Sequence, residues 1–586
     1  MGIYKEKNNI IKKRGYMTGY IIETILFMVA AIGALLLGFD LLSSNVTKLF
    51  HTQLKKLFNK TSKNDLIGVG IGAASTAIVQ SSGATTVMVV GFVNTGIITL
   101  RQATALIMGA NIGTTITAQL ASLSSFDFGA YAIACAGIGA FITMLAKKER
   151  SKTLGNALTG FGILFLGLEC MSLAIGNEFN GEPVVKQFIT QILSSDVVSS
   201  GIGAPFILFV LGIVLTALVQ SSSLITTIVI SLTTAGIYIG AGAGSTTLTN
   251  NVLFLILGTN IGSCVTALIS SIGTSTNAKR ASIIHLLFNT AGSLVFMVLL
   301  FIYKDFMVDT FGKWFPEAAT QIAMFHTVFN VLCTLIFLPF IKVFVKVASI
   351  LVKEKEVEED NKLVYLDERL FTTPSIAVHQ VRKELALMYG KSVDILNKSI
   401  VAFLEKNTEI RPEIDKANEE LEFTNKQIIE FMVKLSNENL AFEDECTLSA
   451  FHRVLNDILR IGEIGENICK YAKSMSNHNL EFSPNVMVQI GFFKDKINLL
   501  YAKTDEVFLT KNLNKLKDAD EIEDEVDQMR KALIDDHFDR LNRNECKPQN
   551  SGIYVNLVNN LERAADHMIY IAYSVKDAKE QSLNNK

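Results

Sequence analysis

TAIVQSSGATT at Thr76–Thr86 and TALVQSSSLIT at Thr216–Thr226 are near copies of each other, and each lies in an apolar stretch long enough to enter a bilayer. A second matched pair follows them, GANIGTT at Gly109–Thr115 and GTNIGSC at Gly258–Cys264. A Gln-Ser-Ser cluster at membrane depth is costly unless protein, water or ligand satisfies its polar groups. Its recurrence in matching surroundings predicts a duplicated transporter with a site at the repeat interface.

Outward from these motifs, residues 17–348 form a series of apolar segments with few charges. Two of them, Leu66–Thr99 and Ile202–Ile239, exceed the roughly 20 residues of one span. Each is interrupted near its middle by the Gln-Ser-Ser motif and reads as a re-entrant pair of half-helices. The duplication extends to Gly33-Ala-Leu-Leu-Leu-Gly38-Phe-Asp40 and Gly162-Ile-Leu-Phe-Leu-Gly167-Leu-Glu169. Each repeat, about 17–146 and 154–303, is then span, hairpin, span, span, in opposite topologies. A final span, Gln321–Ile350, carries His326-Thr-Val-Phe-Asn330, an echo of His285-Leu-Leu-Phe-Asn289.

Basic groups at Lys55–Lys63, Lys147–Lys152, Lys279–Arg280 and Lys342–Lys353 satisfy the positive-inside rule if all are cytoplasmic. The hairpins then open to opposite sides, and the loop Gly176–Gly201, with Glu178 and Glu182, falls outside. The basic stretch Lys5–Arg14 disagrees with this topology: either the first span differs or Met17 is the start. The N-terminus also resembles a signal peptide, but the run Ile21–Leu37 is long enough to span and no small-residue cleavage site follows.

Beyond a charged linker at 351–362, residues 363–580 are rich in Glu, Asp, Lys, Asn and Leu and hold about six amphipathic stretches. They predict an all-α soluble bundle. The seven scattered cysteines, with no CxxC, exclude a disulfide framework, and those of the soluble half fit a reducing compartment. The net charge of −2 says nothing about nucleic acid, and no concentrated basic face outside the membrane flanks points to such a partner. No nucleotide loop or nucleophile–base arrangement points to an enzyme.

Candidate ligands to the transported species are Gln80, Ser81, Ser82, Thr85, Gln220, Ser221, Ser222 and Ser223, which offer donors and acceptors of both senses. At a helix break the positive dipole end of the next half-helix suits an oxyanion, and the freed carbonyls suit Na⁺. The competing reading is helix packing by small residues; two copies in matching contexts favour a site. Asn111, Thr114, Thr115, Asn260 and Ser263 form a second polar tier, with glycines that permit close backbone approach. No Lys or Arg lies inside the hairpins, so an anion there needs a cation beside it. Asp40 and Glu169, near predicted span ends, are either cation ligands or interfacial carboxylates.

In the soluble half, carboxylates recur at i, i+4: Asp415 and Glu419, Asp520 and Asp524, Glu562 and Asp566. Such pairs from several helices either build a metal site, with Glu463 as a further ligand, or form a solvated acidic face. Leu459 stands where one cluster would have its first acid.

With these residues in view, the twin hairpins and the GANIGTT and GTNIGSC strings resemble the type II sodium-dependent phosphate cotransporters over roughly 17–348. The strings LRIGEIGEN and LERAADH resemble PhoU, a regulator of phosphate uptake, over roughly 360–580. The resemblance implies inorganic phosphate as substrate, Na⁺ as coupling ion, metal ions at the PhoU-like carboxylates and two three-helix bundles. The expectation is a Na⁺-coupled phosphate importer of a bacterial inner membrane with its C-terminal domain in the cytoplasm. A homo-oligomer or a regulatory protein partner through that domain belongs to the same expectation. The rivals are a membrane-bound phosphate sensor and a phosphate exporter.

Overall fold

A helix satisfies its backbone hydrogen bonds within itself, which suits an apolar chain that enters lipid. Every regular element among the described residues is helical. The computed structural model describes residues 2–59, 64–126, 128–176, 203–241, 245, 247–354, 363–438, 440–478 and 480–584. The loop with Glu178 and Glu182, most of the linker, and the basic side chains of Lys5–Arg14 and Lys55–Lys63 lie outside the described residues. The chain divides into two compact units, Met1–Lys355 and Glu356–Lys586.

The first unit contains α1 (Gly2–Asn59), α2 (Asp65–Val79), α3 (Ser82–Asn94), α4 (Leu100–Ser122), α5 (Gly129–Leu145), α6 (Glu149–Gly176) and α7 (Gly203–Val219). It continues with α8 (Ser222–Thr234), α9 (Asn250–Gly262), α10 (Cys264–Ser270), α11 (Thr276–Ile302), α12 (Ala318–Phe337) and α13 (Ile341–Leu351). Among the described residues, five helices are long and apolar enough to cross a bilayer. The first such helix, Ile22–Phe50, contains Asp40 and runs on past it. The apolar run closes at Phe39, but the helix does not.

Glycine sets the helix spacing. A Cβ added at Gly72 would stand 2.1 Å from the Leu106 carbonyl oxygen, at Gly109 2.0 Å from that of Val69, and at Gly113 2.3 Å from that of Ala73. α2 and α4 therefore touch backbone to backbone and run in the same direction. Asp65 at the start of α2 pairs with Arg101 at the start of α4 at 2.7 Å. α3 ends at Asn94, a few residues before α4 begins, so both ends of the α2–α3 pair lie near the same end of α4.

The second copy repeats this contact: the added Cβ meets the Leu255 oxygen at 2.2 Å from Gly212, that of Phe209 at 2.1 Å from Gly258, and that of Ile213 at 2.5 Å from Gly262. The pairing of α1 with α6 is reciprocal. A Cβ at Gly38 would lie 2.4 Å from Leu164 N and 2.9 Å from the Gly160 oxygen; one at Gly167 would lie 2.7 Å from Leu35 N and 2.9 Å from the Ala31 oxygen.

The second unit contains α14 (Pro374–Glu405), α15 (Arg411–Ser436), α16 (Phe442–His478), α17 (Pro484–Thr510), α18 (Leu516–Asn542) and α19 (Ser551–Asn584). Proline stands in the first turn of α14, α15 and α17, where its missing N–H costs nothing. α16 packs on α14 and α15, and α19 on α17, α18 and α16.

Candidate functional site

The two Gln-Ser-Ser motifs are the two helix breaks, and they share one geometry. Gln80 closes α2 in the left-handed conformation, φ 54°, and its N–H donates to the Thr76 oxygen at 2.6 Å. Gln220 follows α7 at φ 59°, and its N–H donates to the Thr216 oxygen at 2.7 Å. Ser81 and Ser221 then cap α3 and α8: each hydroxyl oxygen accepts from a backbone N–H three residues on, at 3.1 Å from Ala84 and 3.2 Å from Leu224. This satisfies one orphan donor per helix start. A hydroxyl that accepts still has its own proton to donate.

The breaks meet. A cavity of about 210 Å³ is lined by Gln80, Ser81, Ser82 and Gly83 from one copy and by Gln220, Ser221, Ser222, Ser223 and Leu224 from the other, with Leu36, Phe39, Asp40 and Ser43 of α1. Ser82, Ser222 and Ser223 are buried, whereas Asp40 and Gln220 are exposed. Several oxygens around the breaks are buried without a hydrogen-bond partner: Gln80 Oε1 and the hydroxyls of Ser75, Thr76, Thr216, Thr226 and Thr227. Buried polar atoms ordinarily find partners, and of these residues Gln80 lines the cavity. Sequence reasoning did not assign Ser43 and left Asp40 open; the acid's position within an apolar helix was the available signal.

The other predicted positions lie off this cavity. The Thr85 hydroxyl donates to the Ser81 oxygen at 3.0 Å, that of Thr114 to Ala110 at 3.0 Å, that of Thr115 to Ile112 at 2.8 Å and that of Ser263 to Asn260 at 2.7 Å. Asn260 Nδ2 donates to the Ile256 oxygen at 3.0 Å, while Asn111 Nδ2 is buried without a partner. In GANIGTT and GTNIGSC it is the glycines that form the close helix contacts described above. A wider cavity of about 920 Å³ in the same unit is lined by residues that include Glu169, Thr233, Tyr238, Lys313 and Glu317.

The seven soluble-half carboxylates are distributed over α15, α16, α18 and α19. Asp415 pairs with Arg411 at 2.9 Å and Glu463 with Arg460 at 2.5 Å. Around Glu562 and Asp566 the neighbouring acids are Glu523 and Asp527, rather than the predicted Asp520 and Asp524 alone. Glu523-Asp-Glu-Val-Asp527 repeats the E-x-x-x-D spacing of Glu562 and Asp566, a signal open to the sequence reading. Burial first, then Asp527 and Asp566, push the Glu523 carboxyl up to about 7. Arg530 approaches Glu562 at 3.4 Å. Among the described residues no three His, Cys, Asp or Glu side chains are placed to share a metal ion, so this donor set as arranged does not fit one.

The sequence also matches known families and proteins. Residues 34–173 match the Na⁺/Pi-cotransporter family, and 385–472 with 494–575 match the PhoU domain. The first Gln-Ser-Ser copy falls inside the matched region and the second beyond it. A relative from Escherichia coli K12, named "Putative inorganic phosphate export protein YjbB", is 22% identical over 95% of this chain and 98% of its own. The uncharacterized protein YqeW of Bacillus subtilis is 27% identical over 55% of this chain and 95% of its own. Human sodium-dependent phosphate transport protein 2B is 39% identical over 15% of this chain and 14% of its own. No solved structure matches the chain. The chain is thus a membrane protein of a phosphate-transporter family, with a Na⁺/Pi-cotransporter region at residues 34–173 and a C-terminal PhoU domain.

Proposed function

We propose that the chain carries inorganic phosphate across a bacterial inner membrane in exchange for the free energy of a Na⁺ gradient, with the PhoU domain regulating it from the cytoplasm. The observation that carries the reading is the single cavity lined by both Gln-Ser-Ser motifs. Two helix N-termini and a set of hydroxyl and amide donors, with no Lys or Arg in the lining, suit an oxyanion that arrives with cations. α2–α3 and α7–α8 are proposed as re-entrant hairpins. In support, α2, at 15 residues, is about 23 Å long, too short for a hydrocarbon core of about 30 Å, and the return of α3 towards the start of α4 fits the same reading.

The reciprocal contacts of α1 and α6 fit two repeats related by a two-fold axis in the membrane plane, where residue i meets j and j meets i. Transport would then proceed by movement of one repeat against the other about the shared cavity. The second reading is phosphate efflux, favoured by the export protein that matches this chain along nearly its whole length. In either direction the same site serves.

The test is phosphate flux in proteoliposomes with a Na⁺ gradient imposed in each orientation. Gln220→Ala and Ser222→Ala each remove a group that replaces part of the anion's hydration. A lost hydrogen bond to a charged species costs about 1.5–3 kcal/mol, so apparent phosphate affinity is expected to fall roughly 10- to 150-fold. Variants that insert and transport with unchanged phosphate dependence would show the motifs to be packing devices.

A further inference from the structure

We infer that Asp40 is the cation-binding group of the shared cavity, and that phosphate enters against a monovalent cation held by its carboxylate. The inference rests on the phosphate reading of the cavity. Of the thirteen residues that line it, Asp40 alone carries a formal charge. It comes from α1, outside both broken helices, and lies within the apolar stretch Ile22–Phe50, where an ionisable side chain is expensive to keep without a task.

α1 is fastened at this level. The Ser43 hydroxyl donates to the carbonyl of Val79, the last residue of α2, whose oxygen the helix break has released. Ser43 and Asp40 are three residues apart on one helix and so share a face. The bond that pins Ser43 to the break therefore presents Asp40 to the same cavity. Gln80 Oε1, an amide oxygen buried without a partner, belongs to the same lining and supplies a second oxygen for a cation.

Charge balance fixes the consequence. Each half-helix N-terminus is equivalent to roughly half a positive charge, so the two together offset about one negative charge. Asp40 takes up that amount, and the cavity is near neutral before anything binds. A phosphate dianion would leave about two negative charges uncompensated in a site with no basic side chain. A cation at Asp40 relieves one of them and turns the carboxylate from a repulsive into a bridging group.

The experiment uses the full chain in proteoliposomes, with Na⁺ titrated at saturating phosphate and phosphate titrated at saturating Na⁺. Asp40→Asn keeps shape and removes charge. The expected result is a rise of about tenfold or more in the Na⁺ concentration for half-maximal flux, the size of one charge-assisted contact, with a smaller change in the phosphate dependence. A second readout needs no transport: Na⁺ alone should raise the unfolding temperature of wild-type protein in detergent and not that of Asp40→Asn. Asp40→Glu keeps the charge on a longer arm and should retain the Na⁺ response at a shifted midpoint; it decides the matter if the Asn variant does not insert. An unaltered Na⁺ curve and unaltered thermal response in Asp40→Asn, or in Asp40→Glu where that variant must stand in, would overturn the inference. Gln220→Ala measured alongside separates the two levels. If it too leaves phosphate flux unchanged, the cavity reading itself fails, whereas an effect at Gln220 with none at Asp40 removes only the cation assignment.

Discussion

Gln80 and Gln220 stand where glycine is the ordinary choice. A left-handed residue ending a helix costs a side chain of L chirality roughly 1–2 kcal/mol, and glycine escapes the cost. Both breaks nevertheless carry glutamine, and both glutamines reach the cavity. Gln80→Gly and Gln220→Gly should therefore leave the protein at least as stable in thermal unfolding while phosphate flux falls; unfolding at lower temperature with intact flux would assign the glutamines to structure instead. Glu523 makes the opposite trade. Its folded-state carboxyl is raised from about 4.5 to about 7, so the native protein holds a proton there that the unfolded chain releases. Stability from this group is present below about pH 4.5 and is lost as pH rises through about 7. Amide exchange in α18 and α19 of the full chain should accordingly be faster at pH 8 than at pH 6 after correction for intrinsic rates, and Glu523→Gln should flatten that difference.

The helices owe their spacing to residues without side chains. In α2 and α4, and again in α7 and α9, an added methyl would sit within about 2.5 Å of a carbonyl oxygen, inside any van der Waals limit. Gly72→Ala and Gly258→Ala are expected to cost at least the roughly 1–3 kcal/mol of ordinary overpacking and to lower the yield of inserted protein. Gly137→Ala, with open space around it, should be neutral. Equal yields for all three would mean that the paired helices tolerate wider separation.

The broken helices were legible from sequence because polar clusters are conspicuous in an apolar run. In the second tier the glycines form the close helix contacts, whereas Thr114, Thr115, Asn260 and Ser263 donate to carbonyls of their own helices, a local choice that composition does not reveal. Asp40 reads as near a span end because hydropathy falls there, and the helix runs on past it. The acids at Glu523 and Asp527 were passed over because an acidic stretch contains several i, i+4 pairs, and only packing against α19 selects one.

At the scale of the molecule, the division near Lys355 separates an apolar unit with its own core from a helical bundle with its own. A chain ending after Val352 loses no apolar helix of the first unit. It should insert and carry phosphate with altered control, measured as flux against internal phosphate concentration; an inserted but inactive product would make the bundle obligatory. One asymmetry has a wider meaning. Asp40 and Glu169 occupy matching places in the proposed repeats, yet Asp40 borders the small cavity at the breaks and Glu169 the wide one. If the proposed repeats trade these two environments, a second arrangement follows from the first. Under the proposed repeat relation, such an exchange would bring Glu169 beside the paired serines and turn Asp40 to the wider cavity.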